Sequence, residues 1–121
     1  MKRFTLLFFF LLIGSVAFAQ NGYQKKYAYN QYNKDWALVK TVSGTYGFID
    51  RDGKVVVPAI YAKIEKFGKY NENLAMVKSI SDTYGFIDRN GKVVIPATYK
   101  LKDIEQNFQA IYKNHSQANS K

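Results

Sequence analysis

Side chains able to do covalent or metal chemistry are scarce in this 121-residue chain, which has one histidine, His115, and no cysteine. His115 stands in a polar C-terminal stretch without a carboxylate cluster beside it. Neither a zinc-type ligand set nor a nucleophile with its base can be assembled from such a sequence. Asp50-Arg51-Asp52-Gly53 begins like a calcium loop, but Tyr61 stands where a bidentate Glu is needed, and Tyr99 does so where the pattern returns. Turn-forming Asp and Gly residues account for the motif better. Glu65 and Glu105 fall in unlike connections and form no carboxylate pair. The chain is therefore expected to be noncatalytic, with no metal and no cofactor.

Tyrosine and lysine are abundant instead. There are ten Tyr and nine Phe, and 18 Lys and Arg outnumber nine Asp and Glu, for a formal charge of +9. Such a surface attracts anions within a Debye length of about 8–10 Å. The lysines are scattered rather than gathered into a dense tract, so specific nucleic-acid recognition is not expected. Candidate binding residues are Trp36, Lys63, Lys66, Lys100 and Lys102, with Trp36 better suited to the core of a first strand.

The elements that position these residues come from a tandem repeat. Tyr46-Gly47-Phe48-Ile49-Asp50-Arg51-Asp52-Gly53-Lys54-Val55-Val56-Val57-Pro58-Ala59-Ile60-Tyr61 returns 38 positions later as Tyr84-Gly85-Phe86-Ile87-Asp88-Arg89-Asn90-Gly91-Lys92-Val93-Val94-Ile95-Pro96-Ala97-Thr98-Tyr99. Trp36-Ala37-Leu38-Val39-Lys40 aligns with Leu74-Ala75-Met76-Val77-Lys78 at the same offset. A period of this length marks one supersecondary unit stacked on copies of itself. The units are read as residues 35–72 and 73–106, with a partial third at 107–113 whose Phe108-Gln109-Ala110-Ile111-Tyr112 has the look of an opening strand.

Within a unit, Asp50 opens and Gly53 closes a three-residue hairpin loop of type I turn plus bulge, repeated at Asp88 and Gly91. The flanks are aromatic and β-branched. A second hairpin upstream turns at Ser43-Gly44, and at Ser81-Asp82 in the other copy. Pro58 and Pro96 are expected to end the third strand, and residues 59–72 to return to the next unit through irregular structure with room for a short strand. The expected fold is all-β, with tandem antiparallel three-stranded meanders over residues 36–113.

The order Leu74-Ala75-Met76-Val77-Lys78, Tyr84-Gly85-Phe86-Ile87-Asp88, Asn90-Gly91-Lys92-Val93-Val94-Ile95-Pro96 and Tyr99 resembles the WG repeat, a bacterial β-rich tandem repeat with a Trp-Gly-Tyr/Phe-Ile-Asp core. Here Tyr46 and Tyr84 replace the Trp of that core. The resemblance implies a scaffold for interaction rather than catalysis: an exported module contacting a protein or envelope component, or alternatively a binder of polyanions or glycans through Tyr and Lys. The motif residues Tyr46, Gly47, Phe48, Ile49, Asp50, Gly53, Pro58 and Tyr61, with Tyr84, Gly85, Phe86, Ile87, Asp88, Gly91, Pro96 and Tyr99, are then structural.

The flanks read differently. Lys2 and Arg3, an uncharged apolar run over residues 4–16, and Ala17-Phe18-Ala19 before Gln20 form a secretory signal at 1–19, too short in its apolar part for a membrane span. Residues 20–35 read as a flexible Tyr/Asn/Gln-rich spacer, and 114–121 as a disordered tail. The protein is expected in the periplasm, on the cell surface or outside the cell. Mass spectrometry of protein recovered from the envelope or medium should find Gln20 at the N-terminus; an intact Lys2-bearing chain held in the membrane would refute this.

Overall fold

The computed structural model describes residues 22–119, so the expected signal segment and its cleavage point lie outside the described residues. Two four-stranded antiparallel sheets follow one another along the chain. The first is ordered β1 (Tyr23–Tyr29), β2 (Ala37–Thr41), β3 (Tyr46–Ile49) and β4 (Val55–Tyr61). The second is β5 (Lys63–Phe67), β6 (Leu74–Lys78), β7 (Tyr84–Asp88) and β8 (Val93–Tyr99), and a helix, α1 (Leu101–Asn119), ends the array. Among the described residues no helix is long and apolar enough to cross a membrane.

The all-β repeat is as expected, but each unit carries a fourth strand. The described part of the expected spacer, residues 22–35, is not a spacer: β1 pairs with β2 through Tyr23↔Thr41, Lys25↔Lys40 and Tyr29↔Ala37. Tyrosines supply the apolar area that aliphatic residues provide elsewhere, with Tyr27 against the core between the sheets and Tyr23 and Tyr29 against the opposite face. In the second unit the same place is taken by β5, the short strand within the otherwise irregular return, and it pairs with β6 as the first strand of the second sheet. The structural units are thus framed at 23–61 and 63–99 rather than 35–72 and 73–106.

The hairpin loops form as their residues dictate. Gly53 N–H donates to Asp50 O at 3.1 Å and Asp50 N–H to Lys54 O at 2.9 Å, with Gly53 at φ 82°. The Asp50 carboxylate accepts from the amides of Asp52 and Lys54, both at 2.9 Å, and Asp88 holds Asn90 and Lys92 in the same way. Such Asx bonds fix the turn locally.

Pro58 and Pro96 do not end their strands. Each is exposed within a bulge of an edge strand, where its missing N–H costs no ladder bond. Tyr46 pairs with Tyr61 and Phe48 with Val57, so Pro58, Ala59 and Ile60 all face Gly47. A Cβ on Gly47 would lie 2.5 Å from Val57 O and 2.7 Å from Ala59 Cα; one on Gly85 would lie 2.6 Å from Ala97 N. The Gly of the motif is there because a strand crosses directly over its backbone. Thr45 Oγ1 donates to Ala59 O at 2.8 Å, and Thr83 Oγ1 to Ala97 O at 2.6 Å, holding each bulge down.

The core lies in two large layers and a small third one, Ala37, Val39 and Ile49 under Tyr23 and Tyr29 on the outer face of the first sheet. Trp36, Leu38, Phe48, Val57 and Tyr61 of the first sheet pack on Ile64, Ala75, Val77 and Ile87 of the second. Leu74, Met76, Phe86 and Ile95, on the other face of the second sheet, pack on Ile104, Phe108 and Ile111 of α1. The expected partial third strand at 107–113 and the described part of the expected disordered tail, 114–119, are helix instead; residues 120–121 lie outside the described residues. Leu101, Ile104, Phe108 and Ile111 recur at spacings of three and four, one face of a helix that departs from helical dihedrals only at Asn107 (φ −133°).

Gly47→Ala should destabilise the protein by about 3 kcal/mol or more, since backbone rather than a movable side chain stands in the way. Gly44→Ala, at φ 87° with open space around it, should cost about 1–2 kcal/mol from left-handed strain alone. Urea denaturation compares the two, and equal losses would mean that the strand crossing is not the constraint.

Candidate ligand-binding cleft

Where the chain passes from β4 to β5 it must turn out of one sheet into the next. Ala62 makes that corner, and its N–H donates to Lys78 O at 2.8 Å, attaching it to β6. Beside the corner is a cleft of about 680 Å³. Leu38 and Ile64 contribute its apolar lining, Tyr27, Tyr32 and Tyr46 its aromatic part, and Lys63, Lys66 and Lys78 its charge. Gln31 also lines it, and among the described residues no carboxylate does.

Each polar group is placed by an element already described. Tyr46 is the aromatic residue before the strand-crossing Gly47, opposite Lys40 on β2, whose ammonium lies 5.9 Å from its ring centroid. Tyr32 comes from the β1–β2 loop and meets Phe48 edge-on at 5.2 Å, while Lys66 lies 5.7 Å from its ring. Tyr27 carries Lys25 at 4.5 Å. Lys63 and Lys78 are direct cross-strand partners on β5 and β6, an arrangement of like charges that is ordinarily unfavourable by about 0.2–1 kcal/mol. Asp82 pairs with Lys78 at 3.3 Å; among the described residues no carboxylate pairs with Lys63 or Lys66.

The predicted site residues divide accordingly. Lys63 and Lys66 line the cleft, whereas Lys100 and Lys102 are exposed at the start of α1 and do not. Trp36 is not a surface binding residue. It is 7% exposed, wedged between Phe48 at 5.0 Å and Phe67 at 5.9 Å. Of the motif residues, Tyr46 reaches the cleft, Tyr84 sits near Lys78 at 6.0 Å, Tyr61 is in the core, and the Tyr99 hydroxyl is hydrogen-bonded to His115 Nε2 at 2.8 Å. Phe48, Ile49, Phe86 and Ile87 are core side chains. Sequence reasoning missed Tyr27, Gln31, Tyr32 and Lys78. Extending the 38-residue offset backwards was the available signal, since it pairs Tyr32-Asn33 with Tyr70-Asn71 and Lys25 with Lys63.

A second set of contacts binds the units together. The Arg89 guanidinium lies 4.4 Å from the Phe67 ring and donates to Asn33 Oδ1 and Glu72 O, both at 2.9 Å, while Asn33 Nδ2 donates to Arg89 O at 2.9 Å. Its counterpart Arg51 lies 4.6 Å from the Tyr29 ring and pairs with Asp35 at 2.6 Å. The arginine inside each hairpin turn thus covers the last aromatic residue of that unit's first strand.

Comparison with known proteins agrees with the repeat. The family model of the WG containing repeat matches residues 46–79 and 84–101. No curated protein and no solved structure matches the chain.

Burial holds the phenol of Tyr61 above the ordinary pKa of 10, and burial followed by the nearby Tyr46 and Tyr27 does the same for Tyr32. The fold prefers the neutral phenols. Their contribution is complete below about pH 10 and is lost as pH rises through the raised folded values. Urea stability should therefore fall steeply above pH 10, and Tyr61→Phe should fall less over the same range; an identical alkaline loss in the variant would overturn the assignment.

Proposed function

From a chain that the WG containing repeat matches over residues 46–79 and 84–101, we propose an exported, noncatalytic module that holds a protein or envelope component at the junction of its sheets. The single observation that carries this reading is the Tyr/Lys cleft. Three lysines and three tyrosines converge there, and none of them is required by the hairpin turns or the strand crossings. Binding sites tend to have an apolar lining with a few convergent polar groups and a volume of about 300–1,000 Å³, and this cleft has that form.

A second reading, a binder of polyanions or glycans, is favoured by the absence of any carboxylate in the lining. Salt distinguishes the two. Ion pairing to a polyanion weakens steeply as salt rises, whereas a packed protein interface is much less sensitive. Immobilised protein is expected to retain an envelope component at both low and moderate salt, and Lys63→Glu with Lys66→Glu should abolish retention without lowering Tm. Retention unaffected by the double variant would place the contact elsewhere; retention at low salt alone would favour the polyanion reading.

A further inference from the structure

Three features of the cleft narrow the chemistry of its occupant. The first is charge. Lys63 and Lys78 face each other across β5 and β6, and Lys66 follows on β5, with Asp82 the one carboxylate paired to any of the three among the described residues. Like charges held opposite one another cost stability unless an anion lies between them. The second is shape. Leu38 and Ile64 give a small apolar lining, and 680 Å³ is enough for a ligand of one or two sugar rings rather than a bare ion. The third is the state of the aromatic rings. Lysine ammonium groups already lie over Tyr27, Tyr32 and Tyr46. A flat nucleobase stacks on a ring face, and one face of each ring is already taken by an ammonium, whereas a ring bearing many hydroxyls can also use phenol O–H groups, ring edges and the Gln31 amide.

Resting on the reading of the cleft as the binding site, we propose that its ligand is an acidic sugar, a pyranose carrying a carboxylate, held with the carboxylate between Lys63, Lys66 and Lys78 and the hydroxylated ring against Tyr27, Tyr32 and Tyr46. The lysines neutralise the acid, and the tyrosines distinguish a sugar from a simple anion. The hydroxyl-bearing tyrosine at position 46 matters here, because it brings a donor and acceptor to the cleft where the repeat's usual indole has only a donor.

The test is titration of the purified protein with galacturonate, digalacturonate, a neutral disaccharide and adenosine monophosphate at low salt, followed by calorimetry and tyrosine NMR signals. The acidic sugars should bind at least tenfold more tightly than the neutral disaccharide and shift the signals of Tyr27, Tyr32 and Tyr46. Comparison of galacturonate with digalacturonate tells whether a free acid or a polymer segment is the natural source. Lys63→Gln with Lys66→Gln should weaken binding at least tenfold while Tm holds or rises as the like-charge pair is relieved, and Tyr32→Phe should weaken the sugar while sparing simple carboxylates. Lys54→Gln, in the turn at the far end of β3, should leave binding unchanged. Equal binding of the neutral disaccharide, tighter binding of adenosine monophosphate, or equal loss in the Lys54 variant would overturn the proposal. Envelope retention that depends on Lys63 and Lys66 in a protein indifferent to galacturonates would overturn the sugar assignment alone and leave the binding module standing.

Discussion

The close passage of β4 over Gly47, and of β8 over Gly85, is the constraint from which the rest of the architecture follows. A side chain at either position would occupy the space of another strand's backbone. With glycine there, three residues of the fourth strand can face one residue of the third, and the strand bends while it stays paired at both ends. In the first unit that bend carries the chain through Tyr61 to the corner at Ala62 and starts β5 as the edge of the next sheet. Bulges commonly redirect a strand in this way. The threonine bonds to Ala59 and Ala97 and the exposed prolines belong to the same device, and the cleft exists because the corner leaves room beside it.

Once one sheet is placed on the next, unlike faces meet. Trp36, Leu38, Phe48 and Val57 are large and point onward; Ala75, Val77 and Ile87 point back and are smaller. Large against small packs with few voids. The same alternation explains why Trp36 and Leu74 differ between otherwise matching units. In the first unit Trp36 supplies a ring beside Phe48, with Tyr32 on Phe48 as well. In the second unit Tyr70 and Phe86 occupy the matching places, and the added ring is Phe108 from the helix, 5.2 Å and 5.1 Å from them. Leucine suffices where a helix provides the aromatic group. Arg89 and Asn33 then join the two units at the rim, and Gly91 keeps the second turn clear of Val56 of the first unit, whose O would lie 2.8 Å from a Cβ there.

Short-range chemistry was legible in the sequence, and long-range substitution was not. Asp50, Gly53, Asp88 and Gly91 announced their turns because each acts on backbone two to four residues away. Pro58 and Pro96 misled because the rule that proline ends a strand assumes a central strand, and β4 and β8 are edges with bulges. β1 was invisible for a different reason. Its apolar area is tyrosine interleaved with lysine, a composition shared with disordered chains, and only pairing with β2 makes it a strand. The helix was legible in principle through Leu101, Ile104, Phe108 and Ile111, but the strand-like look of Phe108 to Tyr112 concealed a period that begins at 101. The cleft was half legible: Lys63 and Lys66 stood out by charge, while Tyr27 and Tyr32 lay in the supposed spacer.

Helix α1 begins at Leu101, 38 residues after Lys63, and so takes the place where a third sheet would start. It buries Ile104, Phe108 and Ile111 on the face that would otherwise accept another unit, and Tyr99 is tied to His115 on its last turns. The two faces of the second sheet are therefore covered by unlike partners, a sheet on one side and a helix on the other. An unlike neighbour on each side also makes the inter-sheet corner at Ala62 a place with no counterpart at the helix end among the described residues, so a single cleft of this kind is built from two nearly identical units.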